Sequence, residues 1–323
     1  QHNTYRFQDR GHLNFGITFS PSVINPWFRR YTGRSHFWAS LNPSPTQQAR
    51  LMTKLAIFDF DWTVVNENSD VWIFKVLSSH NLYKELKRRR GSTQWTQLMD
   101  ELVVSLMTKE GRSLKEMEEA LNTIPIHEDM INLIEDLHSK GYKLYVVSDA
   151  NTMFIRSILS ARKLLPYFTE IISNPGIISD GILRITPIHS NHGCDRCPSN
   201  ICKGKIVSEI LQHERATSAF YFGDGMNDFC PMTVMRDFDV FFVREGFGLA
   251  NMLEEMGLHP KVGSAKDGGE KFGSEIISLG NHAQPKSGSL KEKSSSVIPK
   301  IIWWDLSSLR RQVTEQLRLM DED

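Results

Sequence analysis

Short apolar segments of strand length alternate with helix-type segments from Leu55 to Leu258, and this alternation is the strongest constraint on the fold. It indicates an α/β fold, because each helix crosses over to bring the next strand parallel to the last. The predicted strands are Leu55–Asp59, Lys143–Ser148, Ala219–Phe222 and Phe238–Val243. The predicted helices are Glu128–Lys140, Asn151–Ala161, Lys203–Gln212 and Leu249–Met256. The sequence therefore predicts a doubly wound, parallel-sheet core.

The first two predicted strands are separated by about 80 residues, far more than one crossover connection needs. Most of this insertion has the pattern of amphipathic helix, rich in Leu, Met, Lys and Glu. We expect a small helical cap over residues 71–123, inserted after the first strand. The core would then comprise residues 52–70 and 124–258.

The two ends of the chain differ from this core. Residues 1–51 contain six arginines, no lysine and one acidic residue, Asp9, without helical or strand periodicity. We interpret them as a disordered extension, or as sequence upstream of a start at Met52, rather than as an Arg-rich transit peptide. Whether they belong to the mature protein is open. Residues 259–297, rich in Gly, Ser and Lys, predict a flexible loop, and residues 298–323 predict a strand and helix that complete the core.

The charge balance excludes several classes of partner. The chain has 38 basic and 38 acidic residues, so no global field attracts nucleic acid or an anionic membrane. Its apolar runs are far shorter than the ~20 residues that cross a bilayer. The four cysteines lie close together in sequence, unlike those of a secreted disulfide scaffold, and this favours a reducing, cytoplasmic location. Oligomeric state is not predictable from these features.

Polar residues stand where the predicted strands end and the helices begin. Asp59 and Asp61 follow the first strand, and open α/β sheets bind ligands at that edge. Three further elements follow in order: Val146-Val147-Ser148-Asp149, Cys202-Lys203-Gly204 and Gly223-Asp224-Gly225-Met226-Asn227-Asp228. A single Asp-x-Asp is weak evidence, but the ordered set is a strong signal.

This set resembles the signatures of the haloacid-dehalogenase (HAD) phosphatase superfamily, beginning with Asp59-Phe60-Asp61-Trp62-Thr63. The resemblance covers about residues 52–258 and implies an enzyme that hydrolyses phosphate monoesters. It implies that Asp59 is the nucleophile, that Asp61 is the general acid and base, and that Ser148 and Lys203 bind the phosphoryl group.

The chemistry of phosphate esters explains why these residue types occur together. A phosphate dianion repels a carboxylate nucleophile, so positive charge must be held nearby. Mg²⁺ bound by Asp59, Asp224 and the backbone carbonyl of Asp61 would supply it, together with Lys203. We expect Asp228 to orient the metal shell or Lys203.

A closer resemblance is to the phosphoethanolamine/phosphocholine phosphatase group, which includes pyridoxal-phosphate phosphatases and plant phosphate-starvation phosphatases. It rests on the segments Asn66-Glu67-Asn68-Ser69-Asp70, Val147-Ser148-Asp149-Ala150-Asn151, Asn174-Pro175-Gly176 and His192 to Lys203. Phosphoserine phosphatases, which share the cap, have a glutamate nine residues after the nucleophile, where this chain has Asn68. We therefore expect the substrate to be a small phosphorylated amine, with pyridoxal phosphate and pyrophosphate as alternatives.

Asp70, Asp149 and Asn151 are the predicted substrate-binding residues. The resemblance implies that the two carboxylates meet the ammonium end of the substrate. The alternative is that Asp149 caps the helix starting near Asn151 and that Asp70 caps the helix after it.

Two further hypotheses remain open. His192, Cys194, Cys197 and Cys202 have spacings that could hold Zn²⁺, although only one Cys-x-x-Cys pair is present and the resemblance explains the cysteines as a group signature. A non-catalytic binding protein with the same fold is the alternative of another class. The complete set of predicted catalytic residues argues against it.

Overall fold

A computed structural model describes residues 53–77, 80–258 and 299–321. The predicted N-terminal extension, residues 1–51, and the predicted flexible loop, residues 259–297, lie outside these ranges. None of the helices in the described ranges is long and apolar enough to span a membrane.

Six parallel strands form the central sheet in the order β3-β2-β1-β6-β7-β8. Its strands are β1 (Thr53–Phe58), β2 (Lys143–Asn151), β3 (Phe168–Asn174), β6 (Ala216–Gly223), β7 (Val240–Arg244) and β8 (Lys300–Trp304). A separate antiparallel hairpin consists of β4 (Gly176–Ser179) and β5 (Ile182–Ile185). The strand order reverses between β1 and β6, so a crevice opens beyond their carboxyl ends.

Helices lie between and after these strands. They are α1 (Ser69–Val76), α2 (His80–Arg89), α3 (Trp95–Thr108), α4 (Leu114–Leu121), α5 (Glu128–Ser139), α6 (Thr152–Ala161), α7 (Lys203–His213), α8 (Phe229–Met232), α9 (Gly248–Glu255) and α10 (Leu309–Asp321). A π-type turn, Phe60–Val64, follows β1. The first four helices all lie between this turn and α5, in the stretch predicted to contain the cap.

The sheet is buried on both faces. Successive residues of β1 point to opposite sides, so Ala56 and Phe58 join one apolar cluster while Leu55 and Ile57 join the other. All four are fully buried. Each large apolar side chain buried in this way contributes roughly 1.5–3 kcal/mol, which explains why the strands are continuous apolar runs.

The predicted doubly wound α/β core with helices inserted after the first strand is confirmed. The predicted boundary between core and cap stays a prediction. The sequence analysis missed the edge strand β3 and the β4–β5 hairpin. The sequence of β3, Phe-Thr-Glu-Ile-Ile-Ser-Asn, mixes exposed and buried positions, so it lacks the apolar run of the central strands. The hairpin is held to α3 by Asp100, whose Oδ1 accepts a hydrogen bond from the Ile185 amide at 2.8 Å.

Candidate active site

Asp59 stands at the carboxyl end of β1, beside the point where the strand order reverses. Its amide donates to the Phe222 carbonyl at 2.9 Å, which continues the pairing of β1 with β6. Its Oδ1 accepts a hydrogen bond from the Phe60 amide at 2.7 Å. The predicted nucleophile is therefore fixed by the sheet itself.

The turn after Asp59 contains a backbone conformation that only glycine adopts without cost. Trp62 has φ 60°, in the left-handed region, which costs roughly 1–2 kcal/mol for a residue with a Cβ. Arg244, buried at the end of β7, donates to the Trp62 carbonyl and to Asn66 Oδ1. We interpret these hydrogen bonds as the restraint that holds the turn in this shape.

Lys203, the first residue of α7, is fully buried against two carboxylates. Its Nζ lies 2.7 Å from Asp59 Oδ1 and 2.9 Å from Asp228 Oδ1. Burial alone would lower the pKa of Lys203, but the negative charges of Asp228 and Asp59 outweigh it and raise the pKa above the ordinary value. The lysine is thus a permanent cation beside the predicted nucleophile.

Asp228 is surrounded by hydrogen-bond donors on both carboxylate oxygens. Oδ1 accepts from Lys203 Nζ and, at 2.7 Å, from the Tyr221 hydroxyl. Oδ2 accepts from the amides of Asp224 at 3.2 Å and Gly225 at 3.0 Å. A Cβ at Gly223 would lie 2.6 Å from Asp228 Cγ, so this close approach requires glycine. With both oxygens occupied, Asp228 is suited to orienting Lys203, one of the two tasks predicted for it.

Asp59, Asp224 and Asp228 form a buried group in which one oxygen of each lies within 4.8 Å of the others. Asp224 Oδ1 accepts from the Thr63 hydroxyl at 3.1 Å. Burial, with the charge of Asp228 next, raises the pKa of Asp224 to about 7. Burial likewise raises the pKa of Asp59 well above its usual range. A bound cation would relieve the repulsion among these three carboxylates.

The acidic group fits a divalent cation. Within the described ranges, Asp59 Oδ2 and Asp224 Oδ2 accept no hydrogen bond from the protein, although both residues are buried. Carboxylate oxygens completed by water and a phosphate oxygen are the ligands that Mg²⁺ prefers. The side chain of Asp61 is not part of this group; the predicted contribution of that residue was its backbone carbonyl.

Asp61 is buried beside the start of α1. Its Oδ1 accepts a hydrogen bond from the Ser69 amide, the first residue of α1, at 2.9 Å. Burial, reinforced by the charge of Asp70, raises the pKa of Asp61 well above its usual range. A carboxyl group with a raised pKa carries a proton nearer neutral pH, as a general acid requires.

Ser148 lies near the end of β2 and is fully buried. Its Oγ accepts a hydrogen bond from the Ala150 amide at 3.2 Å. Asn174, at the end of the edge strand β3, donates from Nδ2 to the carbonyls of Asp149 at 2.7 Å and Ala150 at 3.0 Å. Through these bonds β3 fixes the segment that contains Ser148.

A cavity of about 350 Å³ extends from Asp61, a predicted catalytic residue, toward the inserted helices. The four carboxylates on its lining are those of Asp61, Glu67, Asp70 and Asp149. Asp70 is buried and accepts from Trp95 Nε1 at 2.8 Å and from Asn151 Nδ2 at 3.1 Å. Burial raises the pKa of Asp70 to about 7. The aromatic rings on the lining are those of Trp62, Tyr83 and Trp95.

The N-caps of the two helices beside this cavity are asparagines. Asn68 Oδ1 accepts from the Val71 amide at 2.9 Å and caps α1. Asn151 Oδ1 accepts from the Phe154 amide at 3.0 Å and caps α6, while its Nδ2 reaches Asp70. The alternative in which Asp70 and Asp149 serve as the helix caps is therefore wrong.

Sequence reasoning missed Tyr221, Trp95, Arg244 and the role of Asn174. Tyr221 and Arg244 lie in strands that are otherwise apolar. A polar residue within such a strand, or at its end, is the one sequence feature that could have indicated that they belong to the site. Trp95 carries no local signal, because its partner Asp70 is 25 residues earlier in the chain. Only the tertiary fold brings the first residue of α3 to the start of α1.

The open zinc hypothesis needs a correction to its ligand set. The structure brings Cys230 to Cys194, Cys197 and Cys202, all four sulfurs lying within 4.8 Å of one another. His192 is used differently. Its Nε2 is 2.9 Å from the Pro198 carbonyl, and its Nδ1 accepts from the Cys194 amide at 3.1 Å.

Comparison with known proteins places these features in a family. Residues 54–270 match the model of the family described as Putative Phosphatase. Inorganic pyrophosphatase 2 of Arabidopsis thaliana is 35% identical over 208 residues, which are 62% of this chain and 73% of that protein. The pyridoxal phosphate phosphatase of Rattus norvegicus is 33% identical, over 64% of this chain and 88% of that protein. The phosphoethanolamine/phosphocholine phosphatase of Homo sapiens is 34% identical, over 62% of this chain and 78% of that protein.

Proposed function

The chain belongs to the Putative Phosphatase family, within the HAD phosphatases, and from this premise we propose that it hydrolyses a small phosphorylated amine through a phosphoaspartate at Asp59. The predictions of family and of phosphatase activity are confirmed, and the hypothesis of a non-catalytic binding protein is withdrawn. The observation that carries the proposal is the buried contact of Lys203 with Asp59 at 2.7 Å, beside a cavity lined by four more carboxylates.

In the first step Asp59 attacks phosphorus and the bond from phosphorus to the leaving oxygen breaks. Lys203 offsets part of the charge that builds up on the phosphoryl oxygens, and the Ser148 hydroxyl is available to bind one of them. Asp61 gives its proton to the departing alkoxide. The products of this step are a free alcohol and an acyl phosphate on Asp59.

In the second step water releases inorganic phosphate. Asp61, now ionised, accepts a proton from the water as it attacks phosphorus, and the bond to the Asp59 oxygen breaks. Both aspartates return to their starting protonation states, so protons balance over the cycle. A carboxyl group with a raised pKa serves both steps because it exchanges its proton near neutral pH.

Asp59 and Asp224 would hold a Mg²⁺ ion, with Asp228 orienting Lys203 alongside. When bound, the ion neutralises the carboxylates and the phosphate dianion, so that one anion can approach another. The support for this assignment is the pair of buried carboxylate oxygens without a donor in the described ranges.

The acidic cavity supports an amine substrate. An ammonium group beside ionised Asp70 and Asp149 would form charge-assisted hydrogen bonds, whereas a substrate carboxylate there would be repelled. Trp62, Tyr83 and Trp95 supply ring faces that attract a quaternary ammonium group such as that of phosphocholine. Asn151 serves by orienting Asp70.

Pyrophosphate is a second candidate, because Lys75 and Arg90 also line the cavity. Cationic contacts near the leaving group are what a diphosphate substrate needs. Lys75 is already paired with Glu67 at 2.9 Å, and Arg90 lies over the Trp95 ring at 6.0 Å. The amine is favoured because the cavity has more carboxylates than cations. Pyridoxal phosphate remains an alternative, and the predicted cytoplasmic location stays a prediction.

The proposal is tested by measuring phosphate release, in the presence of Mg²⁺, from five compounds. They are phosphoethanolamine, phosphocholine, pyridoxal phosphate, phosphoserine and pyrophosphate. We expect the highest kcat/KM with phosphoethanolamine or phosphocholine, and a loss of at least ~10-fold with phosphoserine. Faster hydrolysis of pyrophosphate than of either amine would contradict the assignment of the cavity.

A further inference from the structure

Every cysteine of the chain lies in one cluster, at a distance in sequence from the motif that contains Asp59. The chain has four cysteines, and Cys194, Cys197, Cys202 and Cys230 account for all of them. One sulfur of each lies within 4.8 Å of the other three. Cys194 Sγ is 3.8 Å, and Cys202 Sγ 4.0 Å, from Cys230 Sγ.

These distances fit ligands of one metal ion better than they fit a disulfide. A disulfide joins its sulfurs at about 2.05 Å, and all four cysteines are free thiols in this structure. A tetrahedral zinc ion with Zn–S bonds of about 2.3 Å places its sulfurs about 3.8 Å apart. The observed separations are of this size.

The backbone around the cluster resembles the surroundings of metal-bound thiolates. The Lys205 amide donates to Cys202 Sγ at 3.5 Å. A Cβ on Gly204 would lie 2.5 Å from Cys230 Sγ, so glycine is required for the sulfur to approach the start of α7. Amide donors to sulfur stabilise thiolate, the form that binds metal.

Two histidines support the cysteines from behind. His192 Nδ1 accepts the Cys194 amide at 3.1 Å, and His189 Nδ1 accepts the Cys202 amide at 3.1 Å. Each histidine therefore orients the backbone of a cysteine. The ring nitrogens of His192 are both engaged, which leaves the four sulfurs as the ligand set.

We propose that Cys194, Cys197, Cys202 and Cys230 bind one structural Zn²⁺ ion that fixes the two segments holding the Lys203–Asp228 ion pair. Cys202 directly precedes Lys203, and Cys230 lies two residues after Asp228. An ion that joins Cys202 to Cys230 thus holds the beginnings of α7 and α8 in register. Lys203 Nζ then stays 2.9 Å from Asp228 Oδ1. Four sulfur ligands leave no open position, so the ion is structural rather than catalytic.

The test measures the metal content of the full chain, purified without chelators, by inductively coupled plasma mass spectrometry. We expect about one zinc ion per chain, lost in Cys194→Ser and in Cys230→Ser. Two controls keep the zinc: His192→Ala removes the alternative ligand, and Asp224→Asn alters the carboxylate site. Iron in place of zinc, a disulfide among the cysteines, or a metal-free protein would overturn the proposal. Loss of zinc in His192→Ala with retention in Cys230→Ser would also overturn it.

A second measurement covers the case in which the cysteine variants do not fold. Replacement of zinc by Co²⁺ in the wild-type protein gives an absorption spectrum that reports the ligands. We expect intense sulfur-to-cobalt charge-transfer bands and a tetrahedral ligand-field spectrum. A spectrum with weak bands typical of oxygen ligands would contradict the assignment. Neither readout depends on phosphatase activity, so this inference and the proposed function fail separately.

Discussion

The carboxylates of Asp59, Asp61 and Asp70 are all buried. Their different neighbours suit each of them to a different role. Asp59 touches a permanent cation, Lys203, at 2.7 Å and is therefore suited to attack. Asp61 accepts a hydrogen bond from the Ser69 amide, and burial together with the charge of Asp70 favours its protonated form. Asp70 accepts hydrogen bonds from two neutral donors, burial raises its pKa to about 7, and we predict that its ionised form meets the substrate.

Neutralising either substrate-facing carboxylate should change substrate selectivity. We expect Asp70→Asn and Asp149→Asn to raise KM for phosphoethanolamine by ~10-fold or more, since a charge-assisted hydrogen bond contributes roughly 1.5–3 kcal/mol. Hydrolysis of an uncharged aryl phosphate should change little. Glu67→Gln is the matched control, because Glu67 also lines the cavity but is already paired with Lys75. Equal losses on both substrates in the aspartate variants would refute this role.

The pKa of Asp70 should also appear in the pH profile. Its value of about 7, against an ordinary 3.8, means that Asp70 ionises as pH rises through 7. The ratio of kcat/KM for phosphoethanolamine to that for the aryl phosphate should rise over the same range, and this rise should be absent in Asp70→Asn. Both substrates share the titration of the phosphate, and the general-acid role of Asp61 is common to the wild type and Asp70→Asn. Comparing the ratio between these two proteins therefore isolates Asp70. The same pH dependence of the ratio in both proteins would count against a substrate-binding role for Asp70.

The raised pKa of Asp70 also affects the free energy of unfolding. The folded state binds the Asp70 proton more tightly than the unfolded state, so this contribution is full below about pH 4 and is lost as pH rises through about 7. Asp70→Asn should therefore gain thermal stability relative to the wild type between about pH 5 and 8, by a few degrees in Tm. Thermal melts of both proteins at about pH 5 and pH 8 measure how the difference in Tm changes with pH. An equal difference in Tm at both pH values would show that Asp70 does not ionise in a buried position.

At the scale of elements, the site depends on contacts between strand ends. Arg244 at the end of β7 reaches the turn after β1, and Asn174 at the end of β3 reaches the last residues of β2. The central strands could be predicted because their apolar runs are continuous. The edge strand β3 and the Trp95–Asp70 contact could not, since they depend on packing between distant segments. The order of the polar motifs was sufficient to predict that Asp59, Lys203, Asp224 and Asp228 lie together, while their catalytic roles stay predictions.

Arg244→Ala should lower both stability and turnover, because the left-handed Trp62 would lose the hydrogen bonds that restrain it. We expect kcat to fall by ~10-fold or more, in line with the cost of misplacing catalytic groups. Arg236→Ala is the matched control: Arg236 pairs with buried Asp239 just before β7 begins, at the opposite end of that strand. It should lower Tm with kcat unchanged. Equal kcat in both variants would contradict the restraining role of Arg244.

At the scale of the whole molecule, we predict that the buried group of Asp59, Asp224 and Asp228 needs a bound cation for both stability and function. Gel filtration into metal-free buffer should abolish turnover, and added Mg²⁺ should restore it and raise Tm, because the ion binds only the folded state. Asp224→Asn should lose this response, while gaining stability in metal-free buffer, where repulsion from Asp228 is removed. Full activity in metal-free buffer would exclude the proposed role of the acidic group.

The phosphorylated enzyme is the species that tests the account most directly. With an aryl phosphate the leaving group needs no proton, so Asp61→Asn should still form the phosphoaspartate but hydrolyse it slowly. Acid quenching and peptide mass spectrometry of this variant should find the phosphoryl group on Asp59. The Asp59→Asn/Asp61→Asn double variant should carry none. Label on any other residue, or turnover that persists in Asp59→Asn, would contradict the mechanism.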